Sequence, residues 1–384
     1  MKNKKSKKVL IIKIVLLVLI IGIISAIIFE YFNSEDIRNY IDYKILNKQI
    51  NDDKTKEIEL EDSNSYFCTY GNYIGIINNS TLKIYNSSAK KEGEINISIT
   101  TPIINSNQRY LVIGEKNGNK LYMISGKNII WQTEVDGELT NVNVNINGYV
   151  SVITTQSTYK TVVTTYAPKG NELFKSYVSN SYAIDTEISN NNKYLAIAEI
   201  NTNSTKIQSN VRILSMEKVE NQKEDYVIFD KTAQQNQMIV DIKYNNQNNL
   251  IAIFDDEIDE IVDKQPKTLI KFDKDTLFAN IEMDKSIVQA RQISEDLGQA
   301  NTEINILNIT NKNQFKYNIE KSIPRELISE GDKVALNTGM DVYILNENGF
   351  LIKRYTSKQE INKVILGKNV ACIVYKDKIE LVKV

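Results

Sequence analysis

The sequence predicts an all-β domain of repeated four-strand units, closed into a ring and carried behind a single apolar helix. Three observations predict it. A turn-and-strand motif recurs down the body of the chain, the repeat length suits one antiparallel four-strand unit, and a long apolar run follows a lysine-rich start. A ring of this kind is a β-propeller, with eight blades preferred and seven possible. Of the 384 residues, 42% are hydrophobic and 25% charged, which is the composition of a chain able to bury a core. There are 0 His residues, so the usual general base and the commonest zinc ligand are missing, and with them Ser-His-Asp and Cys-His chemistry.

The order of elements begins with residues 1–8, a basic tail holding Lys2, Lys4, Lys5, Lys7 and Lys8. Residues 9–29 follow, Val9 to Phe29, apolar apart from Lys13, Gly22 and Ser25. As a helix this run is about 31 Å long, the thickness of a bilayer hydrocarbon core, so it predicts a transmembrane helix in contact with lipid. A core helix would carry a polar face. A cleaved signal peptide would have a shorter apolar stretch with its small residues after it, whereas Ser25 and Ala26 lie inside it. Lys13 is one turn from the basic end and can extend back to the headgroups. The lysine cluster places the N-terminus in the cytoplasm and everything after Phe29 outside the cell. Without the first thirteen residues, 41 basic residues stand against 48 acidic ones, a net charge of −7 that argues against nucleic acid as a partner.

Residues 30–57 read as a stalk and linker. Ser34 is a candidate N-cap, Glu35 and Asp36 suit a first helical turn, and Ile37, Ile41 and Ile45 share one helix face, while residues 51–57 are polar.

Residues 58–384 form the repeat region. The turn unit is seen in Asn145-Ile-Asn-Gly-Tyr-Val-Ser-Val, Ser189-Asn-Asn-Asn-Lys-Tyr-Leu-Ala-Ile-Ala and Asn245-Asn-Gln-Asn-Asn-Leu-Ile-Ala-Ile, with seven copies in all. The strand after it recurs eight times, with Leu269-Ile-Lys-Phe as the copy in the fifth unit. The missing turn is expected between Ile287 and Ile304. Eight units average about 41 residues, within the roughly 40 to 45 of a four-stranded blade. The last unit lacks an outer strand, and Glu57-Ile-Glu-Leu-Glu, ahead of the first unit, can supply it and close the ring. A β-sandwich pair has no reason to repeat one unit eight times, and an open solenoid has no need for complementary ends.

The lysine-rich start, the single span, Asp36-Ile-Arg-Asn-Tyr-Ile, Tyr182-Ala-Ile-Asp-Thr-Glu-Ile-Ser and Tyr194-Leu-Ala-Ile-Ala-Glu resemble an uncharacterised domain-of-unknown-function family, number 5711, of clostridia-like Gram-positive bacteria. The resemblance covers nearly the whole chain. It implies a membrane-anchored, extracytoplasmic propeller with no assigned activity and no catalytic residues to carry over.

Chemistry-bearing residues are few. Cys68 and Cys372 fall in units made neighbours by closure, so a bond between them is conceivable, but their apolar strand contexts favour two separate buried thiols. Asp255, Asp256, Glu257, Asp259, Glu260 and Asp263 form an acidic run that lacks the glycine and the Asp-x-Asp-x-Asp spacing of a calcium loop, and it reads as a solvated hairpin. Tyr73, Tyr110, Tyr149 and Tyr194 recur at one strand position, which points to blade packing rather than a sugar-stacking platform. No catalytic, cofactor-binding or metal-ligating residue is assigned. Asp185 and Glu187, on an inner strand, are the carboxylates that a propeller-face hydrolase would use, and an alternating pair also suits a polar channel lining. The function expected is a tethered binding or scaffolding module of the cell envelope with a protein or cell-wall partner, and the alternative is an extracytoplasmic enzyme.

Overall fold

The computed structural model describes residues 2–34, 37–38, 41, 55–62, 64–203, 206–217, 226–294 and 300–384. A helix, α1, spans Lys2–Asn33. Its stretch Lys13–Asn33 is long and apolar enough to cross a membrane, and its most apolar window is not buried against the described residues. Ser34 ends it and begins another turn, since its hydroxyl accepts the Ile37 amide at 3.4 Å and its carbonyl the Arg38 amide at 3.1 Å. Most of the predicted stalk and linker lies outside the described residues.

From Lys56 onward, the strands of the described residues form eight four-stranded antiparallel sheets, each a blade. Blades 1 to 8 occupy residues 66–96, 102–134, 138–178, 182–232, 239–271, 276–319, 326–356 and 363–383. Strand order within blades 1 to 7 follows the chain. Blade 8 takes its fourth strand, Lys56–Glu59, from the other end of the repeat region, and Ile58 pairs with Ile379 across it. The ring therefore closes as its two end sequences predict, with eight blades.

Each blade exposes an apolar face to its neighbour on either side, so the core lies between the blades and is divided among them. Leu111, Ile113 and Ile124 of blade 2 pack on Ile77, Leu82 and Ile84 of blade 1, and equivalent clusters fill every other junction. The closing junction joins Ile74 and Ile76 of blade 1 to Cys372, Val374 and Ile379 of blade 8 and to Ile58. Period-two alternation along each strand supplies both faces at once, which is why the strands read as nearly continuous apolar runs.

Two expectations of the sequence reading change. The third strand of blade 5 is Glu257–Val262, and Leu269 belongs to the fourth, Gln265–Lys271. Asp255, Asp256 and Asp263 are the exposed turn residues expected of a solvated hairpin, whereas Glu257, Asp259 and Glu260 belong to the strand between the turns. Asp259 and Glu260 are buried because each meets partners from beside it: Lys231 Nζ sits 2.5 Å from Asp259, and the Asn245 and Asn249 side chains donate to Glu260 at 3.2 and 3.1 Å. The eighth turn precedes Ser286, the first residue of the strand Ser286–Ser294, rather than following Ile287.

Candidate functional site: the axial channel

The inner strands of the blades surround the axis, and their polar residues recur with a period of two ahead of each turn. Asn141, Asn143 and Asn145 hold these places in blade 3, Asp185, Glu187 and Ser189 in blade 4, and Asp241, Lys243 and Asn245 in blade 5. In all three inner strands the pairing register shifts at one place, between Leu139 and Asn141, Ala183 and Asp185, and Ile239 and Asp241. A bulge twists the strand locally and re-aims the side chains after it. Here those side chains are the polar ones.

All but Asn141 and Ser189 line an axial cavity of about 630 Å3, joined by Asn105 from blade 2, Glu282 from blade 6 and Glu330 from blade 7. Glu330 and Ser106 also border an adjoining cavity of about 550 Å3 whose wall carries Phe67, Ile104, Ile328 and Ile365 from blades 1, 2, 7 and 8. The channel thus has an acid-and-amide wall on one side and, on the other, an apolar patch bordered by Lys363 and Thr69.

Hydrogen bonds stitch the polar wall from blade to blade. The Asn141 amide donates to the Ile184 carbonyl at 2.9 Å and to Asp185 Oδ1 at 3.1 Å, and Asp185 Oδ2 accepts the Ile242 amide of blade 5 at 3.4 Å. The Asp185 and Asp241 carboxyls lie within hydrogen-bonding reach of each other, an arrangement that favours a proton on one of them. Burial pushes Asp185 up to about 6, against the opposing bonds from Thr186, Asp241, Ile242 and Asn141. Burial also raises Asp241, and the charges of Glu282 and Asp185 add to the rise. Nearer the turns, the Asn107 side chain donates to the Asn145 carbonyl at 2.7 Å, Asn145 to the Ser189 carbonyl at 3.1 Å, and the Asn191 backbone to Asn248 Oδ1 at 2.8 Å. Asn192 and Asn248 hold φ of 60° and 61°, the left-handed geometry expected of these asparagine turns.

The remaining channel carboxylates are short of counter-charge. Burial raises Glu187, with Glu282 and Asp185 adding to it while Lys243 and the Asn143 amide oppose it. Burial pushes Glu330 up to about 7. Lys243 cannot serve them all, because it is ion-paired with Glu282 and donates to the Glu282 carbonyl at 3.1 Å.

The structure therefore places Asp185 and Glu187 in one channel but pairs Asp185 with Asp241 of the next blade. Four residues of the wall, Asp241, Lys243, Glu282 and Glu330, escaped the sequence reading. Asp241 and Lys243 stand at the same distance before their turn as Asp185 and Glu187, so aligning the inner strands by that distance exposes them. Cys68 and Cys372 are both buried and unbridged. Tyr73, Tyr110, Tyr149 and Tyr194 sit in or against four different inter-blade cores.

Residues 37–384 match a family of unknown function, DUF5711. The chain belongs to this family. No curated protein is similar to it in sequence. Among solved structures, this DUF5711 propeller is similar to the C-terminal WD40 domain of Sif2, with 11% identity, a TM-score of 0.60, and 86% of this chain and 98% of that one covered. It is also similar to Chaetomium thermophilum Sqt1 bound to the N-terminus of the ribosomal protein L10, at 9% identity and a TM-score of 0.54, covering 84% and 98%. The dihydro-heme d1 dehydrogenase NirN is a third, at 8% identity and 0.52, covering 85% and 75%. At these identities the likeness is one of fold.

Proposed function

We propose that this DUF5711 protein is a membrane-tethered binding module of the cell envelope. Residues 9–29 span the bilayer, residues 1–8 lie in the cytoplasm, residues 30–57 form a stalk and linker, and the propeller stands outside the cell with its channel as the receptor site. The tether is supported by the apolar stretch of α1, which no face among the described residues buries. The binding reading is carried by one observation. The channel wall keeps carboxylate and amide acceptors for which the described residues supply no donors, as at Asn143 Oδ1. Sqt1 is a fold precedent for a propeller that receives a segment of another protein.

The test is protease added to intact cells, together with cross-linking of the membrane protein and identification of what it captures. The expected results are removal of the propeller by protease and capture of a specific partner. A protected propeller would overturn the topology, and a monomer without cross-linked partner or bound molecule would overturn the binding role. Turnover lost on Asp185→Ala would establish an enzyme instead. In the structure the oxygens of Asp185 are engaged by Asn141, Thr186, Ile242 and Asp241, which suits a clamp between blades better than a free acid or nucleophile.

A further inference from the structure

The geometry points to the axial channel as a receptor for an alkylammonium group, with the ammonium held by the acid-and-amide wall and its carbon chain laid along the apolar wall. This deepens the binding reading and rests on it. Three independent features specify the guest.

The first is hydrogen-bond sense. Tyr244 is only 4% exposed, lines the cavity beside Glu187, and its hydroxyl has no partner. Asn143 Oδ1, on the same wall, also has none. Among the described residues the Glu330 carboxylate makes neither a hydrogen bond nor an ion pair, although Lys243 lies in its vicinity. A carbonyl oxygen and a carboxylate need a donor, and a buried polar group left without a partner is costly. An ammonium offers three donors and no acceptor.

The second is charge. Even with one proton shared by Asp185 and Asp241, the carboxyls of Glu187, Glu282, Asp284 and Glu330 outnumber the two cations of that lining, Arg109 and Lys243, and Glu282 already takes the charge of Lys243. An anionic guest would meet repulsion. A bare metal ion is a poor alternative, since no three acidic or thiol side chains converge on one point among the described residues. Carboxylates spread around about 630 Å3 suit an organic cation.

The third is the opposite wall. Phe67, Ile104, Ile328 and Ile365 provide an apolar patch, bordered by Lys363 and Thr69, that is continuous with the charged wall across Glu330 and Ser106. A cation with an aliphatic stem meets both surfaces, whereas a fully hydrated ion does not.

The ammonium can come from a free aliphatic amine or from the lysine side chain of a peptide. The full chain in detergent is titrated calorimetrically with 1,5-diaminopentane, with a lysine-containing peptide, and with butyrate as the anionic control. The expected result is binding of one or both amines and none of butyrate. Tighter binding of the diamine identifies a small-molecule source, and tighter binding of the peptide a macromolecular one. Glu330→Gln and the nearly isosteric Tyr244→Phe are expected to weaken binding about tenfold. Affinity is expected to rise by about tenfold between about pH 5.5 and about pH 7.5, because burial keeps channel carboxyls protonated at the lower value. No binding of either amine, equal binding of butyrate, or affinity unchanged in both variants with melting temperatures intact would overturn the proposal. A partner captured by cross-linking as well in Glu330→Gln as in the parent would retain the binding reading and overturn this one.

Discussion

Ile58, from the strand nearest the apolar helix, is the register partner of Ile379 in the last strand of the chain, and both are buried against blade 1. The two ends of the repeat region are thereby held in one sheet, with Lys378 Nζ placed 2.9 Å from Glu57. The closing strand shields what would otherwise be an open sheet edge. Ile58→Ala should cost about 2–4 kcal/mol in urea unfolding, as expected for a buried isoleucine. Lys378→Ala should cost about 1–3 kcal/mol, because Glu57 is exposed to solvent but the same ammonium sits 2.6 Å from Glu380, a nearly buried carboxylate. Deleting residues 56–59 should also produce higher oligomers on size-exclusion chromatography. A monodisperse deletion variant of unchanged stability would show that the strand is not what closes the ring.

The acidic strand of blade 5 holds Asp259 at 3% side-chain exposure with Lys231 as its counter-ion. Lys231→Met strands a buried carboxylate and should destabilise the domain by about 3–5 kcal/mol. Adding Asp259→Leu should restore a large part of that loss, and a double-mutant cycle in urea measures the coupling.

Asn145 is 3% exposed and serves two blades at once. Its Oδ1 accepts the amides of Asn147 and Tyr149, both at 3.0 Å, and its side-chain nitrogen donates to the Ser189 carbonyl and to Asn192. Asn145→Ala should cost about 2–4 kcal/mol by chemical denaturation, since each bond contributes about 1 kcal/mol and partners are left unsatisfied. Asn147→Ala, at an exposed neighbouring site, should cost less.

Stability should fall as pH rises from about 4 to about 7. Asp185 and Glu330 have folded values of about 6 and about 7, raised above their ordinary 3.8 and 4.5 by burial. In that interval the folded state holds protons that the unfolded state releases, so each group contributes stability that is complete below its ordinary value and is lost as pH passes its folded one. The slope is at most about 1.4 kcal/mol per pH unit for each group. Glu303 acts in the opposite sense. Burial is outweighed there by Lys316, Asn305 and Arg291, so its contribution is present at neutral pH and lost in acid. Urea midpoints measured from about pH 4 to about pH 8 should decline across the upper part, and Glu330→Gln should flatten that decline.

Burial pushes the thiols of Cys68 and Cys372 up to about 12. Neither should react with iodoacetamide in the native protein at about pH 8, and both should react once urea unfolds it. Rapid labelling of native protein would show that the junction between blades 8 and 1 opens.

The architecture was legible because its physical causes are local and repeated. Every blade needs a polar turn, an apolar strand and a second turn, so Asn145, Ser189 and Asn245 mark the same point of successive units. The apolar helix and the end strand around Ile58 were legible for the same reason, since length and composition alone specify them. The middle of the acidic run of blade 5 was misread because its partners, Lys231 on the outer strand of blade 4 and Asn245 and Asn249 in the first turn of blade 5, are distant in sequence, and a one-dimensional pattern of charge cannot show them. The eighth turn was misplaced because Ile281 to Lys285 lacks the asparagine or glycine that marks the others.

The sequence by itself determined the all-β character, the repeat length, the closure of the ring by its own two ends and the presence of one bilayer-length apolar helix, because each follows from spacing along the chain. Tertiary structure alone decided that Asp185 faces Asp241, that Lys243 belongs to Glu282, and that an acid wall and an apolar wall meet across the axis. Those relationships depend on which inner strands the curvature of the ring brings side by side, and on bulges that turn their side chains toward one another. Neither is written in the order of residues within a single blade.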